Sequence, residues 1–401
     1  MNLKLLMLAA TTAAGLLLAG CQDHMSPDRI AGPAAGTTAA PAGAPTTASV
    51  SSVTGAADRE AEDRSGAVFT LSNESSGNRV LVFSRQRNGS LSWAGSIPTG
   101  GKGLGSGLGS QGAIVRRGDL LFAVDAGSNE ISVMRTDGAI HGVSRVSSEG
   151  LQPISLTVHD DLLYVLNAGD PGNITGFRGA RSGRLEHIKG STRPLSGSGT
   201  GPAQVEFNPA GTVLVVTEKN TNKIDTYVVG WEGKASGPNV QNSTGTTPFG
   251  FEFTPRGQLV VSDAEGAAAG LSALTSYALS PGGLLGLITG PVADHQTAAC
   301  WVVITGNGKF AYTTNAGSDN ISGYAVAPNG SLTLFGDGGA TAPSDHKPID
   351  MALSRGSRFL YALNAVGNSI TSYAIGAGGG ALSPLGKIGG LPASASGLAA
   401  E

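Results

Sequence analysis

The segment GNGKFAYTTNAGSDNISGYAVAPNGSL, residues 306–332, constrains the fold of this chain more than any other. Its two short runs, KFAYTT and NISGYAV, carry the aromatic and β-branched residues that suit a pleated, half-buried surface, and Gly-containing turns separate them. The same grammar returns from Phe359 as FLYALNAVGNSITSYAIGAGGGAL and from Leu120 as LLFAVDAGSNEISVMRTDG. A hairpin unit this small cannot bury its own apolar face, so it must stack on copies of itself.

The copies are counted by the polar residue that ends the second strand of each unit: Asn73, Asp125, Asn167, Glu218, Asp263, Asn315 and Asn364. Seven units with successive spacings between 42 and 52 residues fill residues 66–401. Four short strands at such a period predict an all-β, seven-bladed β-propeller. Alternation with period two and a content of 62 Gly exclude a helical solenoid. Each unit reads as an inner strand A, a tight turn, strand B ending in the marker residue, then strands C and D. The first unit lacks strand A, whereas the end of the chain, LPASASGLAA, resembles inner strands such as KPIDMALS. The C-terminal strand is therefore expected to close the ring inside blade one. Strand direction places every B–C and D–A loop on one face, the loop face, and every tight Gly turn on the other, the turn face.

The N-terminus addresses location. Lys4 precedes an apolar run over residues 5–18, followed by Leu18-Ala19-Gly20-Cys21. A run of that length falls short of the roughly 20 residues a membrane helix needs. It resembles a secretory signal (residues 1–20) ending in a lipobox, which implies Cys21 as a lipid anchor in a bacterial membrane. Gln22, where Asp would imply inner-membrane retention, points to the outer membrane. Residues 21–65, rich in Ala, Thr, Pro and Gly, read as a tether. Cys300 lies in the apolar run 298–304 and reads as a small core residue. A net charge of −3 and only 14% charged residues give no footprint of a nucleic-acid binder.

Candidate chemistry gathers on the loop face, where a small polar ligand would enter near the central channel. Asp125, Asp263, Asp294 and Asp345 lie on its loops, and the pairs Asp294-His295 and Asp345-His346 occupy matching D–A loops, where they could converge as metal ligands or as acid and base. Solvated loops also collect such residues by chance. The segment GGKGLGSGLGSQG, residues 100–112, lacks the Gly-Lys-Ser/Thr and following helix of a phosphate loop and reads as a flexible linker. No Gly-x-Ser-x-Gly elbow in a strand-to-helix setting, His-Glu-x-x-His or Cys/His metal spacing occurs, so neither cofactor nor metal is expected.

The fourth unit, GPAQVEFNPAGTVLVVTEKNTNKIDTY over residues 201–227, and GSQGAIVRRGDLLFAVDAGSNEISV in the second resemble the lactonase-type seven-bladed propellers, the family of bacterial 6-phosphogluconolactonase and fungal carboxymuconate-lactonizing enzyme. The resemblance covers essentially all of residues 66–401. It implies an Arg and a His where this chain has Ala203 and Gln204, an Asn-Glu whose Glu is kept as Glu218, and a second Arg where Ala264 stands. A phosphorylated sugar lactone needs Arg or Lys to hold its charge, and lactone opening needs a base and an oxyanion partner. Two readings stay open. One is a binding or scaffolding module at the cell envelope, meeting a small polar ligand or an envelope protein. The other is a hydrolase of an unphosphorylated lactone with Glu218 as base and His295 or His346 as partner.

Overall fold

The computed structural model describes residues 65–401 apart from Gly138 and Asp337. The signal, Cys21 and the tether up to residue 64 lie outside the described residues. Seven antiparallel sheets form the propeller, and the described residues contain no α-helix, only a 3₁₀ turn at Glu265–Ala267. All seven marker residues sit at or just beyond the end of strand B and are buried. The expected closure holds: strand Ser396–Ala400 pairs antiparallel with Gly66–Leu71 as the innermost strand of blade one.

The repeated aromatic residues explain how neighbouring blades register. A strand-B tyrosine donates its hydroxyl to the C–D turn of the next blade, as in Tyr164 to the Gly233 carbonyl at 2.8 Å, Tyr312 to Gly380 at 2.6 Å and Tyr361 to Gly89 at 3.1 Å. A strand-C tyrosine instead reaches the outer edge of the preceding blade: Tyr227 to Pro194 at 2.9 Å, Tyr324 to Val292 at 3.0 Å and Tyr373 to Pro343 at 2.8 Å. Each ring buries apolar area while its hydroxyl satisfies a carbonyl, so one residue supplies packing and register together. Between them lie fully buried Val, Leu and Phe of strand B, each contributing about 1.5–3 kcal/mol.

Inner strands are stitched by polar side chains that accept the N–H of the next blade. Ser155 accepts from Val205 at 3.1 Å, Thr157 from Phe207 at 3.2 Å and Gln204 from Phe251 at 2.8 Å. Blade five has Gly250 at the position of Gln204 and cannot do this itself. Gln111 comes from another blade to fill the gap, accepting from Val302 N at 3.0 Å and donating to its carbonyl at 2.7 Å. A Cβ on Gly250 would lie 2.3 Å from that amide oxygen, which is why glycine stands there. Gln111→Ala is expected to leave both backbone groups of Val302 unpaired in the channel and to cost about 2 kcal/mol or more, read as a lower denaturation midpoint at unchanged slope.

Cys300 is wholly buried on the inner strand of blade six, the small core residue that its apolar run predicts. No helix among the described residues is long and apolar enough to cross a membrane.

Candidate functional site

The central channel opens on the loop face, and the Gly-rich segment between blades one and two lies across that opening. Its bonds reach three other blades. Ser110 Oγ donates to the Ile154 carbonyl at 2.8 Å in blade three, and Gln111 N donates to Ala203 at 3.1 Å in blade four. In blade six Trp301 Nε1 donates to Ser110 at 2.9 Å. Lys219 Nζ donates to Gly109 at 2.7 Å and stands 4.7 Å from the centre of the Phe249 ring. Burial pushes the Lys219 ammonium down to about 8. Residues 108–111 are thus an ordered plug held by strong directional bonds, not the flexible linker their composition predicts.

A cavity of about 340 Å³ remains between the plug and blades six, seven and one. Leu108, Trp301 and Ile349 give it apolar walls, and Ser110, Gln152, Lys347 and Ser396 give it polar ones. Polar and apolar groups share the lining about equally, a make-up that suits a small polar ligand. The position agrees with the loop-face entry expected from strand direction, but the lining does not contain the residues nominated for chemistry.

Glu218 is fully buried. One carboxylate oxygen accepts from Ser196 N at 2.9 Å, and the other takes the hydroxyls of Ser196 and Thr221, each at 2.5 Å. It thereby pins the loop that precedes blade four. Beside it, burial and then the neighbouring Glu218 push the Asp225 carboxyl up to about 8. The aspartates assigned to the ligand face do the same work elsewhere. Asp125 accepts from Asn78 at 2.9 Å, Thr99 at 2.6 Å and Ser132 at 2.6 Å. Asp263 accepts from Thr275 at 2.5 Å, and burial raises it to about 8. Asp294 accepts from Ser272 at 2.8 Å and from Gln296 N at 2.9 Å. Only Asp345 keeps an ion pair, with Lys387 at 2.9 Å, and that hydrogen bond holds its carboxyl below the usual range.

His295 is exposed, and His346 pairs with Asp319 at 3.1 Å. The Asp-His pairs therefore do not meet, and no group of three or more His, Cys, Asp or Glu among the described residues could hold a metal ion. Ala203 is buried beneath the plug. Gln204 spends its amide on both backbone groups of Phe251, the carbonyl at 2.9 Å and the N–H at 2.8 Å. Neither can act on a ligand in the cavity.

A second carboxyl pair went unread in the sequence. Glu206 and Glu252, on the inner strands of blades four and five, line a cavity of about 340 Å³ at the turn-face mouth of the channel. Desolvation holds Glu206 well above the carboxylate range, with the neighbouring Glu252 adding to it, and desolvation lifts Glu252 to about 7. Each stands four residues after Pro202 or Pro248, the first residues of matching strands. Superposing the repeats is the signal that would have found the pair.

Residues 286–393 match the family model described as lactonase, 7-bladed beta-propeller. The chain resembles the lactonase propellers. A Lactobacillus plantarum protein superposes with a TM-score of 0.68 at 19% identity, over 84% of this chain and 100% of its own. The periplasmic gluconolactonase of Pseudomonas aeruginosa gives 0.64 at 18%, over 84% and 99%. A candidate 6-phosphogluconolactonase of Bacteroides fragilis gives 0.63 at 17%, over 84% and 99%. At such identities the likeness establishes the lactonase-like fold, which carries no activity by itself. No curated protein matches the sequence.

Proposed function

We propose that this lactonase-like propeller is a lipid-anchored binding module of the bacterial cell envelope, whose loop-face cavity takes a small polar ligand without turning it over. One observation carries this reading: the plug over the channel, with no carboxylate or imidazole on the cavity wall. Lactone opening needs a base within hydrogen-bond reach of the attacking water. The carboxylate that the family resemblance puts in that role, Glu218, is instead committed to Ser196 and Thr221. The anchor reading rests on the lipobox ending at Cys21.

The full chain is expected to hydrolyse aldonolactones, phosphorylated or not, no faster than buffer in a pH-stat assay. Polar ligands that fit the cavity should raise its melting temperature, and Gln152→Ala should remove that shift. Hydrolysis well above buffer that vanishes in Glu218→Gln would replace this reading with that of an unphosphorylated-lactone hydrolase. The anchor has its own test. Intact mass of the membrane-extracted protein should show a chain beginning at Cys21 with diacylglycerol attached. A mass for the unmodified chain would reject the anchor.

A further inference from the structure

The small net charge conceals a ring of cations on one face. Every blade sends a cation to the turn face: Arg87, Arg117, Arg184, Lys234, Arg256, Lys309 and Arg355 belong to blades one to seven in order. All but Lys234 are exposed. Acids on that face are largely spoken for, with Glu232 on Lys234 at 2.7 Å, Asp160 on Arg181 at 3.0 Å, Asp137 on Arg135 at 3.5 Å and Glu401 on Arg116 at 3.0 Å. Asp119 and Glu186 are the remaining exposed ones, and Asp161 is half-buried. The loop face is mixed: Glu74, Glu149, Asp170, Glu265 and Asp319 are at least partly open to solvent there, and so are Lys102, Lys223 and Lys347.

Two large apolar side chains stand among the cations. Trp231, in the C–D turn of blade four, is 93% exposed, and Leu284, in the same turn of blade five, is 64% exposed. Trp231 borders a groove that holds Arg178, His187, Lys189 and Lys234 together with Glu186 and Glu232. An indole left in water beside clustered cations is the composition of a surface that meets a bilayer: the ring suits the headgroup layer and the cations suit anionic phosphate. The chain also enters the propeller here, since Gly66, the first residue of strand B in blade one, pairs with Arg85 at the turn-face end of strand C.

We infer that the turn face docks on an anionic phospholipid bilayer, with the ring of cations over the headgroups and Trp231 and Leu284 in the interface, so that the loop-face cavity points away from the membrane. This geometry does not depend on acylation. The test uses the full chain carrying Cys21→Ser, sedimented with vesicles of phosphatidylcholine alone or mixed equally with phosphatidylglycerol. Binding to the mixed vesicles should exceed binding to phosphatidylcholine at least about five-fold at low salt and fall away near 0.5 M salt, where the screening length is about 4 Å. Reversing Arg256, Lys309 and Arg355 to Glu should weaken it about ten-fold or more, and Trp231→Ala should weaken it several-fold and abolish the blue shift of its fluorescence. Glu149→Lys with Asp170→Lys, on the loop face, should leave it little changed. Equal sedimentation with both vesicle types, or an unaltered isotherm in both turn-face variants, overturns the inference. So does a gain from the loop-face change as large as the loss from the turn-face one.

Discussion

A chain ending at residue 393 is expected to lose its cooperative melting transition, or to melt more than about 10 °C below the intact protein. The eight residues removed include the innermost strand of blade one, and with it the hydrogen-bonded seam that joins the two ends of the chain into a ring. Lost at once are the ladder to Gly66–Leu71, the bond from Thr70 Oγ1 to the Gly397 carbonyl at 2.6 Å, that from Ser394 Oγ to Ser72 at 2.7 Å, and the Arg116–Glu401 pair. Ladder bonds at about 1 kcal/mol each and the burial of Leu398 at about 2 kcal/mol already approach the 5–15 kcal/mol that holds a whole domain together. The opened seam would also wet the inner strands of blades two and seven, which pack on this one. Calorimetry of the truncated and intact chains decides the matter, and superimposable transitions would refute closure by the tail as a source of stability.

The second large effect is on pH. Asp225 and Asp263 are raised to about 8, Glu252 to about 7, and Asp350 well above its ordinary range, burial being the first cause in each. Unfolded, these groups release their protons near pH 4. Between about pH 4 and 8 the folded state therefore binds more protons than the unfolded one, and stability falls as pH rises through that window. Their favourable contribution is complete below about pH 4 and gone above about pH 8. The denaturation midpoint should accordingly drop by several degrees between pH 5 and pH 8.5. Asp263→Asn isolates one group. Asn already ends strand B in four of the seven blades, so the substitution fits the site, and it retains an acceptor for Thr275. The variant should match the parent at pH 5 and exceed it at pH 8.5 by on the order of 2 kcal/mol, with a flatter profile between. Parallel profiles would mean that Asp263 is charged in the folded state.

The fold was legible because its signals are local and repeated. The residue ending strand B could be picked out in each blade by eye, and the structure gives all seven a common task, capping the blade edge with a buried polar side chain. What could not be read is whatever neighbouring blades decide between them. Glycine in residues 100–112 predicts freedom when taken alone. In place, a Cβ on Gly101 would lie 2.4 Å from Asp125 Cγ, and one on Gly103 would lie 2.1 Å from the backbone of Asn73. These glycines are there for close approach, and the segment is fixed because of them. The same blindness applies to the site. Asp125, Asp263 and Glu218 have the residue types of a reactive cluster, and only the loop hydroxyls aimed at them reveal latches. For a related reason, a sum of charge over the chain cannot register that every blade sends a cation to one face.

Closure of blade one by the last strand also sets a timetable. Ribosomes deliver the chain from the N-terminus, so the first blade is made early but stays one strand short until the final residues emerge. Blades two to seven can pair internally as they appear, while the inner edge of Gly66–Leu71 waits unpaired for the whole of synthesis. The finished ring is thus a proofreading step on length: a chain that stops early is left with an open edge of the kind proteases and chaperones recognise.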